Sequence, residues 1–142
     1  MATILNPYLS FEDTAAAAMT FYQSVLGGDL TTSTFGEFGM SEDPAHSDKI
    51  MHAQLQTPGG LTLMAADVPP DVELQAGNNM AISLSGEDES ELRGFFDGLA
   101  DGGSVDQPFV QAPWGDTFGM LTDRFGTTWM VNALGPQAQS EG

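Results

Sequence analysis

Residues 9–28, "LSFEDTAAAAMTFYQSVLGG", and residues 84–103, "LSGEDESELRGFFDGLADGG", are two versions of one pattern. Leu9 matches Leu84, Ser10 matches Ser85, and Glu12-Asp13 match Glu87-Asp88. Phe21 matches Phe96, and Gly27-Gly28 match Gly102-Gly103. The spacing is constant, since 84 − 9, 96 − 21 and 103 − 28 all equal 75. Seven identities in one ungapped register mark an internal repeat, so the chain reads as two copies of one module.

Each copy follows one plan. A short apolar run comes first, "ILNPYLSF" in one copy and "MAISLS" in the other. An acidic pair follows, whose carboxylates can accept the free N–H groups of a helix's first turn. In the second copy Asp88, with Glu91 three residues on, resembles a capping box. A helical pattern comes next, with Ala18, Phe21, Tyr22 and Val25 on one face, and Leu92, Phe95, Phe96 and Leu99 likewise. A Gly-Gly pair then ends the helix, where a left-handed conformation is commonly needed.

Three extended runs complete each copy: "LTTSTF", "KIMHAQLQ" and "LTLMAA", then "SVDQPFVQ", "TFGMLTD" and "TTWMVNA". The turns "TPGG" and "DRFG" separate the last two runs of each set. The fold class expected is α+β, with two tandem β-α-β-β-β modules forming a cupped mixed sheet and helices outside. The modules span 3–67 and 79–134 within one domain, with a linker at 68–78 and a tail at 135–142. The Gly-containing polar stretch 35–49 is a candidate lid.

Composition narrows the function. Twenty acidic residues face three basic ones, Lys49, Arg93 and Arg124, giving a net charge of −17. Such a surface repels nucleic acid and anionic lipid and attracts cationic ligands. With so few cations, phosphoryl transfer is disfavoured. There are no cysteines, which excludes disulfides and thiolate metal sites and is compatible with a reducing cytosol. No apolar run approaches the length of a membrane span, and "MATILNPYLS" lacks the basic start of a signal peptide. A cytoplasmic location is therefore expected.

The residues "PYLSF" (7–11), "FYQSVLGGD" (21–29), "MHAQL" (51–55), "LMAAD" (63–67), the Gly-Gly of "LADGGSV" (99–105) and "WGDTFGMLTDRFGTTW" (114–129) carry a resemblance. Over residues 4 to 134 the chain resembles the vicinal oxygen chelate superfamily, and within it the PhnB-like branch. That superfamily includes glyoxalases, extradiol dioxygenases and the fosfomycin- and bleomycin-resistance proteins.

The resemblance implies a cavity on the inner face of the sheet. In metal-using members, four residues from the first and last strands of the modules hold a divalent ion, usually two His and two carboxylates. Those positions fall here on Asn6, Met64, Ala81 and Met130. A one-residue slip would replace Ala81 by Met80. Strand alternation turns Leu5, Leu9, Phe11, Ile82, Leu84, Trp129 and Val131 toward the helices. It turns Asn6, Tyr8, Ser10, Ser83, Ser85, Thr128 and Asn132 toward the cavity.

Thioether sulfur is a poor ligand for Mg, Mn, Fe or Zn, and alanine is none. The expectation is no metal and no cofactor. Met130 then makes the cavity floor apolar and adaptable. The expected ligand cavity comprises Asn6, Tyr8, His52, Met64, Trp114, Thr128, Met130 and Asn132, and takes a cationic or aromatic small molecule. Asp116, in "WGDTFG", reads first as a turn residue. The competing reading is a metal-dependent lyase or dioxygenase with a displaced site near His52, drawing on His46, Glu37 or Glu42. A third is a structural or regulatory dimer with no small ligand. No serine triad, GxGxxG or Walker pattern is present. The resemblance also implies a homodimer.

Overall fold

The computed structural model describes residues 3, 5–38, 47–69, 72–75, 77 and 79–135. The elements run β1 (Tyr8–Phe11), α1 (Ala15–Leu26), β2 (Asp29–Thr34), a 3-10 turn (Gly36–Phe38), β3 (Ile50–Gln56) and β4 (Thr62–Asp67). The second copy follows as β5 (Ile82–Gly86), α2 (Glu89–Ala100), β6 (Ser104–Gln111), β7 (Thr117–Thr122) and β8 (Thr128–Ala133). The chain divides into two compact units, residues 1–76 and 77–142. Each is α+β and holds one four-stranded mixed sheet, ordered β1-β4-β3-β2 in the first and β5-β8-β7-β6 in the second.

The repeat extends into the pairing. Tyr8 lies opposite Met64 in a parallel pair, and Ser83 lies opposite Met130 in the same way. The first strands keep the offset 83 − 8 = 75, while the last strands stand at 130 − 64 = 66. Offset 66 also joins β3 to β7: Ala53 opposes Ala65, and Gly119 opposes Val131. The offset changes because the first copy carries the longer connection between its second and third strands.

Each helix covers one face of its own sheet. Ala15, Ala18, Met19, Tyr22 and Leu26 of α1 are buried, as are Ala53 and Leu55 of β3 and Leu63 and Ala65 of β4. The burial stripe is rotated from the one expected. Met19 lies inside, while Phe21 and Val25 are only half-buried. Four alanines and a methionine make the start of α1 apolar all round, so composition alone could not orient it. In α2 the buried residues are Leu92, Phe96 and Leu99, and Phe96 stacks on Phe109 of β6 at 5.4 Å between centroids. Leu5, expected to face the helix, precedes β1 and is 98% exposed.

The two helices start differently. Asp88 caps α2, its side chain accepting the Glu91 N–H at 3.1 Å. Asp13 does not cap α1. It holds a positive φ of 70° and pairs with Lys49 instead. The α1 start is tied from a distance, because Asp67 at the end of β4 accepts the N–H groups of Ala15 and Ile50, both at 2.9 Å. Asp67 is 4% exposed, so removing its carboxylate strands two N–H groups inside the unit. Asp67→Ala is expected to destabilise the first unit by about 3 kcal/mol, read as a lower urea midpoint with unchanged m-value.

Most of the candidate lid, along with Glu42, His46 and the tail beyond residue 135, lies outside the described residues. Of its start, Phe35 is buried and Glu37 closes the 3-10 turn by accepting the Thr34 N–H at 3.2 Å.

Candidate functional site

One face of each sheet carries the helix and the other is left open. Strand alternation settles which side chains lie there. In the first unit a row crosses the sheet from Tyr8 through Met64 and Gln54 to Thr31. In the second, the corresponding row is Ser83, Met130, Met120 and Gln107. A neighbouring row runs Ser85, Asn132, Phe118 and Val110. These side chains are half-buried or exposed, whereas their sequence neighbours on the helix side are mostly buried.

In the first unit Tyr8, His52 and Met64 share the open face. The Tyr8 hydroxyl lies 3.3 Å from His52 Nδ1, with the ring centroids 5.8 Å apart. Asn6 is half-buried just ahead of β1, where the Pro7 carbonyl accepts the Met64 N–H at 3.1 Å. In the second unit Thr128, Met130 and Asn132 share the open face as expected. Asn132 is already engaged, its Nδ2 donating to Asp116 Oδ2 at 3.4 Å. Asp116 also accepts the Gly135 N–H at 2.7 Å, which makes it a turn-holding residue.

Trp114 does not join these rows. It is 64% exposed in the turn between β6 and β7, closed by the Gly115 N–H on the Ala112 carbonyl at 3.0 Å. Six open-face residues escaped the sequence reading: Thr31, Gln54, Gln107, Val110, Phe118 and Met120. Met120 lies directly opposite Met130, so the second open face has a pair of thioethers at its centre. Alternation within "TFGMLT" was the available signal, but its value depends on knowing which strand lies beside β8.

Carboxylates border the second open face, where Asp106 Oδ2 accepts the Thr122 hydroxyl at 2.8 Å and Asp116 meets Asn132. The rows named above hold no carboxylate and no guanidinium. Among the described residues, no three His, Asp or Glu side chains come together as a metal-binding group. The ligand positions implied by the resemblance, Asn6, Met64, Ala81 and Met130, offer one amide oxygen, two thioethers and a methyl. That set does not fit Mg, Mn, Fe or Zn. The three basic residues are all engaged: Lys49 with Asp13, Arg124 with the Asp101 carbonyl at 2.9 and 3.1 Å, and Arg93 over the Phe109 ring at 4.9 Å. Among the described residues no helix is long and apolar enough to cross a membrane.

Comparison with known proteins agrees with this architecture. The model of the Glyoxalase/Bleomycin resistance protein/Dioxygenase superfamily matches residues 4–131. Protein YjdN of Escherichia coli (strain K12) is 30% identical over 144 residues, covering 94% of this chain and 97% of YjdN. Protein PA1353 from Pseudomonas aeruginosa is 39% identical, with a TM-score of 0.78, covering 93% of this chain and 98% of that one. The PhnB protein from Bacillus cereus superposes with a TM-score of 0.74 at 24% identity, covering 93% of this chain and all of that one (100%).

Proposed function

The chain belongs to the glyoxalase/bleomycin resistance protein/dioxygenase superfamily, and from that premise we propose that it binds a small organic molecule without a divalent metal. The ligand is aromatic or cationic and lies on the open faces of the sheets. The observation that carries this reading is the equivalence of Met64 and Met130, each paired to the first strand of its own sheet. Where metal-using relatives place ligand side chains, this chain has soft apolar ones. Methionine is polarisable and flexible, and makes favourable sulfur–aromatic contacts. Met120 doubles that surface in the second unit, while Tyr8, His52, Thr128 and Asn132 supply polar contacts. The net charge of −17 raises the local concentration of cations without placing a carboxylate in the rows themselves.

A homodimer in the cytoplasm is part of the same proposal. Leu5 and Met80 support the assembly: they stand at equivalent positions, 80 − 5 = 75, each just ahead of an edge strand, and are 98% and 82% exposed. The alternative, a metal-assisted lyase or dioxygenase, would draw on His52, whose contact with Tyr8 is the observation in its favour.

Two measurements test the proposal. Protein incubated with Mn, Fe, Ni, Zn and Mg and then desalted is expected to retain far less than stoichiometric metal. Retention of one ion per chain overturns the metal-free reading. In methyl-labelled methionine spectra, a panel of aromatic cations is expected to shift the Met64, Met120 and Met130 resonances. Met130→Ala, which removes the thioether without adding charge, should weaken the response in the second unit. Met130 is only half-buried, so this substitution leaves the fold intact.

A further inference from the structure

The second unit has a cavity of about 570 Å³ on its helix side, opposite the open face. None of the eight residues expected to line the ligand cavity borders it. Its floor includes Phe109, Thr117 and Ala133, all buried, and its rim carries Glu87, Glu89 and Arg93. That volume is typical of a small-molecule pocket.

The repeat supplies an internal control. By the offsets that relate the copies, Phe11, Lys49 and Asp67 correspond to Gly86, Gly115 and Ala133, since 86 − 11 = 75 and both 115 − 49 and 133 − 67 equal 66. In the first copy Phe11 and Asp67 are buried, Asp67 holds the starts of α1 and β3, and Lys49 pairs with Asp13. In the second copy all three are replaced by residues with little or no side chain. The fold therefore accepts a filled version of this place, and the second copy leaves it open. Nor is the opening needed to cap the helix, because Asp88 does that locally.

The rim decides the ligand class. Two carboxylates and one guanidinium border the pocket, and the guanidinium is drawn over the Phe109 ring. Glu89 Oε1 accepts the Thr117 hydroxyl at 2.6 Å, which holds this carboxylate at the pocket wall. We propose that this pocket is a second binding site, taking a small organic ammonium ion: the ammonium sits between Glu87 and Glu89, and an apolar arm lies along Leu134, over the small residues Gly115 and Ala133. Its first-copy counterparts are Glu12 and Thr14, so the second carboxylate is particular to the open copy (87 − 12 and 89 − 14 equal 75).

The probe is phenethylammonium, titrated into the intact chain and followed by backbone amide NMR. Shifts are expected at Glu87, Glu89 and Arg93, and should weaken with salt. Glu87→Gln with Glu89→Gln alters only the rim, and should weaken binding about five-fold, as expected for two exposed ion pairs. Phenylacetate, which could use only Arg93, should bind more weakly than the ammonium. The proposal is overturned if the shifts fall on the Met130 face alone, if the double variant binds as well as the parent, or if phenylacetate binds as tightly. Because these reporters lie at the start of α2, on the covered side of the sheet, failure here is distinguishable from failure of the open-face site.

Discussion

Asp123→Ala is expected to destabilise the second unit by about 4 kcal/mol, among the largest effects of any single side-chain truncation in this chain. Asp123 is 3% exposed and sits at the turn between β7 and β8. Its Oδ1 accepts the N–H groups of Phe125 and Thr127 at 2.8 and 3.1 Å, and its Oδ2 accepts the indole Nε1–H of Trp129 at 2.8 Å. Trp129 is 1% exposed, so its indole has no access to water if the carboxylate is lost. Each stranded buried donor costs about 1–3 kcal/mol. Asp123→Asn retains one acceptor oxygen and should cost clearly less. Urea unfolding followed by Trp129 fluorescence reads both variants. Equal midpoints for alanine and the parent would show that the turn is held by its backbone alone.

Gly28→Ala should cost a comparable amount, about 4 kcal/mol, whereas Gly27→Ala next to it should cost only about 1–2 kcal/mol. Both glycines have positive φ, 78° at Gly27 and 98° at Gly28, so each alanine pays the left-handed penalty. They differ in surroundings. A Cβ on Gly27 would meet nothing within 4 Å, while one on Gly28 would lie 2.2 Å from the Gln56 carbonyl oxygen. That oxygen belongs to the strand backbone and cannot rotate away. The repeat makes the same statement in the second copy, where a Cβ on Gly103 would lie 2.2 Å from the Thr122 carbonyl oxygen. The two contacts are related by the repeat, since 103 − 28 = 75 and 122 − 56 = 66. Thermal unfolding of the adjacent variants is the measurement, and equal losses would mean that the close approach is relieved by backbone movement.

The glycine pairs also indicate how much of the molecule could be read before folding. Their helix-ending role was legible, because helix termination is local and glycine is its common signal. The second role, admitting a neighbouring strand's carbonyl, was not, because it depends on which strand arrives there. The same division holds at the helix starts. Asp88 announces itself as a cap through its spacing to Glu91. Asp13 stands at the matching position, yet yields the task to Asp67, more than fifty residues away (67 − 13 = 54). No local pattern encodes that exchange.

Candidate site residues divide likewise. Alternation in "TTWMVNA" was enough to turn Thr128, Met130 and Asn132 away from the buried Trp129 and Val131. It could not bring Met120 opposite Met130, or Tyr8 within reach of His52, because cross-strand register belongs to the pair and not to either strand. Trp114 looked like cavity material by composition, but its turn carries it to an exposed tip.

Periodicity, turn chemistry and the repeat are properties of neighbouring residues, so the chain alone determined two β-α-β-β-β copies and the faces of their strands. Strand order, register and long-range capping depend on contacts between segments far apart in sequence. Only the folded molecule therefore decided that methionines meet on one side of the second sheet, and that a pocket filled in the first copy stands open on the other.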